Sequence, residues 1–399
     1  MTASAPLAGL RVVELSSFVA SPLGGMTLAR LGADVIRVDP VGGGPDRGRW
    51  PVAPGGESLY WAGLNQGKRS LTVDLRSPEG RALVAELIVG GGAGGGVVLT
   101  NARPRPGLSY EDLRARRPDV IYARLLGRRD GSTAVDYTVN AACGFPLLTG
   151  PEGTEGPVNH VLPAWDVATG LYLAIGLLAA ERARARTGEG QRLEVALGDV
   201  ALATAGQLGH LAEAQLSPEP RGRLGNQIYG DFGRDFATAD GVRVMVVVLT
   251  ARHWRDLVRV TGIGDALGEP AVAGLDGGGE RYARRETLAR LLGPWFAARD
   301  YDEVAATLGA TSVLWSRYHT FSELAQDGML AENPLMGKVS QPGIGSYLAP
   351  GSPLVFDGEQ IPAVPAPRLG EHTGEILTGL LGLSEREVSR LRSHGIVGA

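Results

Sequence analysis

A single carboxylate stands at the head of an apolar helix, a position that suits an N-terminal cap and also suits a nucleophile. It is Asp166, in the stretch Val158-Asn-His-Val-Leu-Pro-Ala-Trp-Asp-Val-Ala-Thr-Gly170. Behind it Leu171–Ala180 is almost unbroken apolar sequence, and Glu181–Arg186 is charged. That pattern predicts a buried helix emerging into solvent, with Asp166 in its first turn. The positive end of a helix favours an ionised carboxylate by ~0.3–1 kcal/mol. Such a carboxylate can attack a carbonyl and split a group transfer into covalent steps. The attack needs donors for the developing oxyanion, and Thr169, Gly170 and nearby amides are the candidates. The plainer role for Asp166 is an N-terminal cap. His160, six residues earlier, is either a tuning partner or a structural residue.

Cations cluster in three loops. Gly42–Trp50 carries Arg47 and Arg49, Asn65–Arg76 carries Lys68, Arg69 and Arg76, and Asn101–Gly107 carries Arg103 and Arg105. In open α/β sheets ligands bind beyond the carboxyl ends of the strands, so these loops could surround one polyanion. Taken singly, each cation reads as ordinary surface charge. A fourth segment, Gly225–Phe236, is rich in Gly and aromatics and contains Arg234. It reads as a mobile lid or as a hairpin.

The elements that must position these groups follow an α/β pattern. Leu10–Leu15, Pro22–Leu31 and Ala33–Asp39 read as strand, helix and strand, which indicates a parallel sheet. The Gly-x-Gly-x-x-Gly turn of dinucleotide binders is missing after the first strand, so a nicotinamide or flavin cofactor is not expected. Gly90–Gly96 lacks the Lys-Ser/Thr of a phosphate loop and precedes a strand, so it reads as a loosened connection. We expect a Rossmann-like large domain over residues 1–216. A linker and smaller α+β domain follow over 217–340, beginning at the Pro/Gly-rich Ser217–Gly222. A Pro-rich return and terminal helices complete the chain over 341–399. Ser384 followed by Glu387 predicts a capping box for the last helix.

Bulk properties narrow the function. At 399 residues two domains are expected. A net charge of −4 gives no general attraction to nucleic acid or an anionic membrane. Cys143 is the only cysteine, so no intrachain disulfide can form, which suits a reducing cytoplasm. Met1–Gly9 has no signal-peptide pattern, and the apolar run near Leu171–Ala180 is shorter than the ~20 residues a bilayer span needs. A cytoplasmic enzyme is the expectation, with no metal.

Several stretches resemble the family III CoA-transferases. They are Pro6–Leu15, Leu31–Val38, Asn65–Leu75, Asp166–Gly170, Thr187–Gln191 and Leu369–Thr373, and together they cover almost the whole chain. The resemblance implies an acyl-CoA substrate, with no cofactor beyond CoA itself, and makes Asp166 the catalytic nucleophile. It implies CoA contacts at Lys68, Arg69, Arg76, Asn101, Arg103 and Tyr137. It also implies a homodimer of ring-like subunits threaded through each other. Five further stretches depart from the general family pattern: Phe18–Thr27, Gly127–Gly131, Val135–Asn140, Val158–Asp166 and Tyr229–Phe236. They resemble the family members that move CoA between C1 and C4 of mesaconyl-CoA through an aspartyl-CoA thioester. Arg47, Arg49 and Arg234 are then candidates for the free carboxylate, by bidentate pairing. The alternatives are transfer between separate acids, racemisation, or CoA binding without chemistry. Racemisation loses weight because Val135, Asp136 and Tyr137 stand where a racemase would place a His.

Overall fold

The computed structural model describes residues 5–219, 221–268, 272–326 and 328–398. The chain divides into two compact units. The first comprises 1–143, 160–212 and 328–399, and the second 144–159 and 213–327.

The first unit is built on a six-stranded sheet of order β3-β2-β1-β4-β5-β6. Its strands are β1 (Arg11–Leu15), β2 (Asp34–Asp39), β3 (Arg69–Thr72), β4 (Val97–Thr100), β5 (Ile121–Leu126) and β6 (Arg192–Ala196). Every neighbouring pair is parallel, which the near-continuous apolar runs of β1, β2 and β4 require, since both faces are covered. The order reverses between β1 and β4, and in doubly wound sheets that switch point opens a crevice at the carboxyl edge.

Helices supply the two covers: α1 (Ala20–Arg30), α2 (Leu59–Leu64), α3 (Pro78–Val89), α4 (Tyr110–Arg116), α5 (Asp136–Ala142), α7 (Ala164–Thr187) and α8 (Leu197–Gln207); the short α6 (Phe145–Leu148) belongs to the second unit. Their starts are written in the sequence. Ser58, Ser77 and Ser109 each accept from amides one turn on, and Pro78 stands where no donor is needed. The last helix, Glu385–Ser393, starts on the expected Ser384–Glu387 capping box. One core lies between the sheet and α3, and another between the sheet and α1 with α7.

Helix α7 extends over 24 residues, well past the apolar run. By length and composition alone it could cross a membrane. Here Leu173, Ala174, Leu177 and Ala180 are buried in the core it shares with the sheet. It meets α1 where glycines face each other. A Cβ on Gly170 would lie 2.6 Å from the Ala20 carbonyl oxygen, and one on Gly24 would lie 2.9 Å from that of Gly170.

The glycine run at 90–96 is less loose than expected. Arg117 donates to the carbonyls of Val89, Gly90 and Gly92, and Arg184 to that of Gly95. It lies before β4, at the amino edge of the sheet, away from the crevice.

The Pro-rich return is also structured. Met336–Gln341 and Gly345–Pro350 pair as a hairpin. Gln341 brackets Ala366 with two hydrogen bonds, and Gly370 and His372 bond to Ser70 on β3.

The second unit carries a three-stranded antiparallel sheet of Phe232–Ala237, Arg243–Val248 and Leu314–Arg317. Residues 144–159 belong with it: Arg223 donates to Leu147, Thr154 and Gly156. Part of the expected lid is core strand. Phe232 and Phe236 are buried, and Phe236 stacks on Phe296 at 4.4 Å.

Candidate active site

A cavity of about 490 Å³ opens at the switch point. Ser17, Phe18, Val19 and Ala20 line it from the loop after β1, and Asn101 from the loop after β4. Arg49, Trp50, Tyr60, Asp136, Tyr137, Val161 and Asp166 complete much of the wall.

Asp166 is the third residue of α7, and the capping role falls to other residues. Pro163 stands at the cap position, and the Asp166 amide donates to Asp136 Oδ2 at 3.1 Å. Its own carboxylate makes no hydrogen bond or ion pair among the described residues. Burial, followed by the neighbouring charge of Asp136, pushes it up to about 6, while Arg49 pulls the other way. It is therefore ionised at neutral pH yet more basic than an ordinary aspartate.

Asp136 is the residue that the sequence did not single out. Only 2% exposed, it accepts from the amides of Trp165 (2.8 Å) and Asp166, and His160 Nε2 lies 3.0 Å from its other oxygen. One turn later Asn140 accepts from the Trp165 indole at 3.0 Å. The i, i+4 spacing of Asp136 and Asn140 puts both on one face of α5, turned toward α7. That spacing at a helix start was the available signal.

The first-turn donors of α7 are all engaged. The amides of Ala164 and Val167 bond to Leu162 and Pro163, as those of Trp165 and Asp166 do to Asp136. Thr169 and Gly170 are buried, Gly170 against Ala20, so neither is placed to serve an oxyanion at the cavity. At the start of α1 the amides of Val19, Ala20 and Ser21 have no internal acceptor among the described residues, and Val19 and Ala20 stand in the cavity wall.

A buried polar network shapes that wall. Asn101 accepts from the Ser17 amide and donates to the Ser17 carbonyl, clamping the β1 loop across the switch point. The Phe18 amide donates to Asp46, and Phe18 takes a φ of 68° that a non-glycine residue adopts at a cost. Asp46 is paired with the wholly buried Arg37, which also holds Asp39 and Asn65.

The basic residues separate into distinct places. Lys68 has given all three of its protons to Glu14, Pro22 and Asn65 inside the unit. Burial draws its ammonium down to about 8, against the opposing pull of Glu14. It therefore has no donor left for a ligand, a correction to the expected CoA contact. Arg69 stands at the amino end of β3, paired with Asp34 and Glu375, on the edge away from the cavity. Arg76 and Arg103 lie beyond the carboxyl ends of β3 and β4 and are exposed. Arg76 pairs with Asp74, and Arg105 approaches the Leu75 carbonyl. Arg47 faces a separate hollow with Glu57 and Arg368. Arg234 lies in the second unit, 3.4 Å from Glu286. Among the described residues Arg49 is the one cation of the cavity wall, its guanidinium over Tyr60 and Phe18 at 4.8 and 5.5 Å from the ring centroids.

A parallel sheet with a free, half-buried carboxylate facing the cavity at its switch point suits an enzyme of group transfer, and comparison with known proteins gives the family. The chain belongs to CoA-transferase family III, matching it over residues 7–373. It is 54% identical to the 2-methylfumaryl-CoA isomerase of Chloroflexus aurantiacus, across 98% of this chain and 97% of that protein. It is 30% identical to the succinyl-CoA:mesaconate CoA-transferase of Haloarcula hispanica, across 92% and 94%. Among solved structures, a CAIB/BAIF family protein from Brucella suis is 28% identical with a TM-score of 0.77, covering 94% of this chain and 99% of that one.

Proposed function

We propose that this enzyme moves CoA between the C1 and C4 carboxyls of mesaconyl-CoA, through a CoA thioester on Asp166. The observation that carries the reading is the unpaired, half-buried Asp166 carboxylate facing a cavity that contains one cation, Arg49. The full-length likeness to a 2-methylfumaryl-CoA isomerase supports the choice of substrate.

The steps balance without any co-reactant. The Asp166 carboxylate attacks the C1 thioester carbonyl and expels CoA thiolate, leaving a mixed anhydride. The thiolate attacks the aspartyl carbonyl of that anhydride and expels the mesaconate C1 carboxylate. The C4 carboxylate then attacks the aspartyl thioester and releases thiolate again. Attack of that thiolate on the C4 carbonyl completes the new thioester and frees Asp166. Carboxylate and thiolate alternate as attacking and leaving groups, one anion for another at every step, so no net proton is needed. The Val19 and Ala20 amides stabilise the oxyanions, helped by the dipole of α1. Arg49 holds the carboxylate that is not reacting. Arg76, Arg103 and Arg105, at the same edge of the sheet, receive the CoA phosphates.

The enzyme acts as a homodimer. Leu171, Tyr172 and Ile175 on α7 and Leu202 on α8 are exposed large apolar side chains, and a second copy covers them, interlocked as in the resemblance. Sedimentation at the monomer mass would overturn this.

Borohydride added during turnover reduces an aspartyl thioester to the alcohol. Mass spectrometry is expected to find that change at Asp166 alone. A label on another residue, or none, would remove the covalent reading.

A further inference from the structure

Asp136 is a buried acid that the reaction above does not use, and its surroundings give it a task. It brings together three segments: α5, which carries it, the 158–163 loop through His160, and the first turn of α7. An ionised carboxylate only accepts, so the His160 Nε2 carries the hydrogen between them. His160 is a quarter exposed, whereas Asp136 is shut away from water. The Trp165 ring, buried beneath, is tethered to Asn140 on the same helix. The backbone of the nucleophile thus hangs directly on a second carboxylate.

We propose that Asp136 and His160 form a positioning pair that sets both the orientation and the basicity of Asp166. This rests on the nucleophile reading above. Asp136 fixes the first turn of α7 by taking two of its amides, so the Asp166 side chain is aimed at the cavity. Its negative charge, next to Asp166, makes the nucleophile hold its proton more tightly, and a more basic carboxylate forms bonds to carbon more readily. His160 draws off part of that charge. The other titratable or charged groups that share the cavity wall with Asp166 are Arg49 from the loop after β2, Tyr60 from α2 and Tyr137 from α5. Of these Arg49 acts in the opposite sense.

The pair makes a two-way prediction that a purely structural role does not. Asp136→Asn keeps an acceptor for the two amides and removes the charge. His160→Phe keeps the charge and removes the donor. The readout is the pH profile of enzyme-bound CoA formation in a single turnover, with thermal melting as a check on folding. We expect the acid limb to move down by about one pH unit in Asp136→Asn, within the range for loss of an adjacent like charge. In His160→Phe we expect it to move up. Limbs that stay with wild type, or that move in the same direction, overturn the proposal. Should Asp136→Asn fail to fold, His160→Phe decides alone: an upward limb supports the pair, and an unmoved one ends it. Wild type labelled at a residue other than Asp166 is a failure of the functional reading, separate from this one.

Discussion

At the residue scale, the central fact is that two aspartates divide work that one was expected to do. Asp136 caps and Asp166 stays free, which is why Asp166 can be a nucleophile. Its proton affinity has a stability consequence. Burial holds Asp166 near 6 in the folded chain, against 3.8 for an ordinary aspartate. A raised carboxylate costs stability where it is ionised, so folding is favoured below about pH 4 and the penalty grows as pH rises through 4 to 6. Asp166→Asn should therefore melt at the same temperature as wild type near pH 4. It should be the more stable by about 2 kcal/mol above pH 6.5, while kcat falls by on the order of a thousandfold or more. Equal stability at all pH values would mean that the carboxylate is not desolvated. Arg49→Gln should raise KM about tenfold or more through loss of a charged hydrogen-bonding partner. An unchanged KM would take Arg49 out of substrate binding.

At the scale of elements, the site depends on how closely α1 and α7 approach. Gly170 and Gly24 let the two helix starts meet at the sheet's carboxyl edge, one offering free amides and the other a free carboxylate. Gly170→Ala places a methyl group within 2.6 Å of the Ala20 carbonyl and 2.8 Å of Leu23 Cδ2. It should cost about 2 kcal/mol in denaturant unfolding, as overpacking does. A neutral effect would show the crossing to be slack. This level was partly legible from sequence. The strand and helix periodicities of β1, α1 and β2 and the serine caps are local signals, and they can be read locally. Asp136 was not legible as a cap because it works on a helix that starts 28 residues later; its spacing to Asn140 marks a shared helix face but not the partner that face meets. Lys68 was misjudged for a related reason. A lysine in a basic turn resembles a phosphate ligand until Glu14, 54 residues away, is seen to take its charge.

At the scale of the whole molecule, the sheet order does what no single motif does. The reversal between β1 and β4 creates the crevice, Asn101 locks its two loops together, and α7 delivers Asp166 to it. The parallel sheet followed from alternating strands and helices. The membership of residues 144–159 in the second unit did not, because it rests on Arg223 reaching three backbone carbonyls distant in sequence. The lid expectation over Gly225–Phe236 failed in its second half for a comparable reason. Phe232 and Phe236 alternate inward on a strand, and a segment with that anchor does not swing.

In the proposed reaction one mesaconate keeps its place while CoA crosses from C1 to C4. This is tested most directly by incubating the purified enzyme with C1-mesaconyl-CoA and an excess of isotopically labelled free mesaconate, with chromatography and mass spectrometry of the products. C4-mesaconyl-CoA free of label is expected at early times. Label entering the product in proportion to the free acid, or no product until a separate acid is supplied, would contradict it.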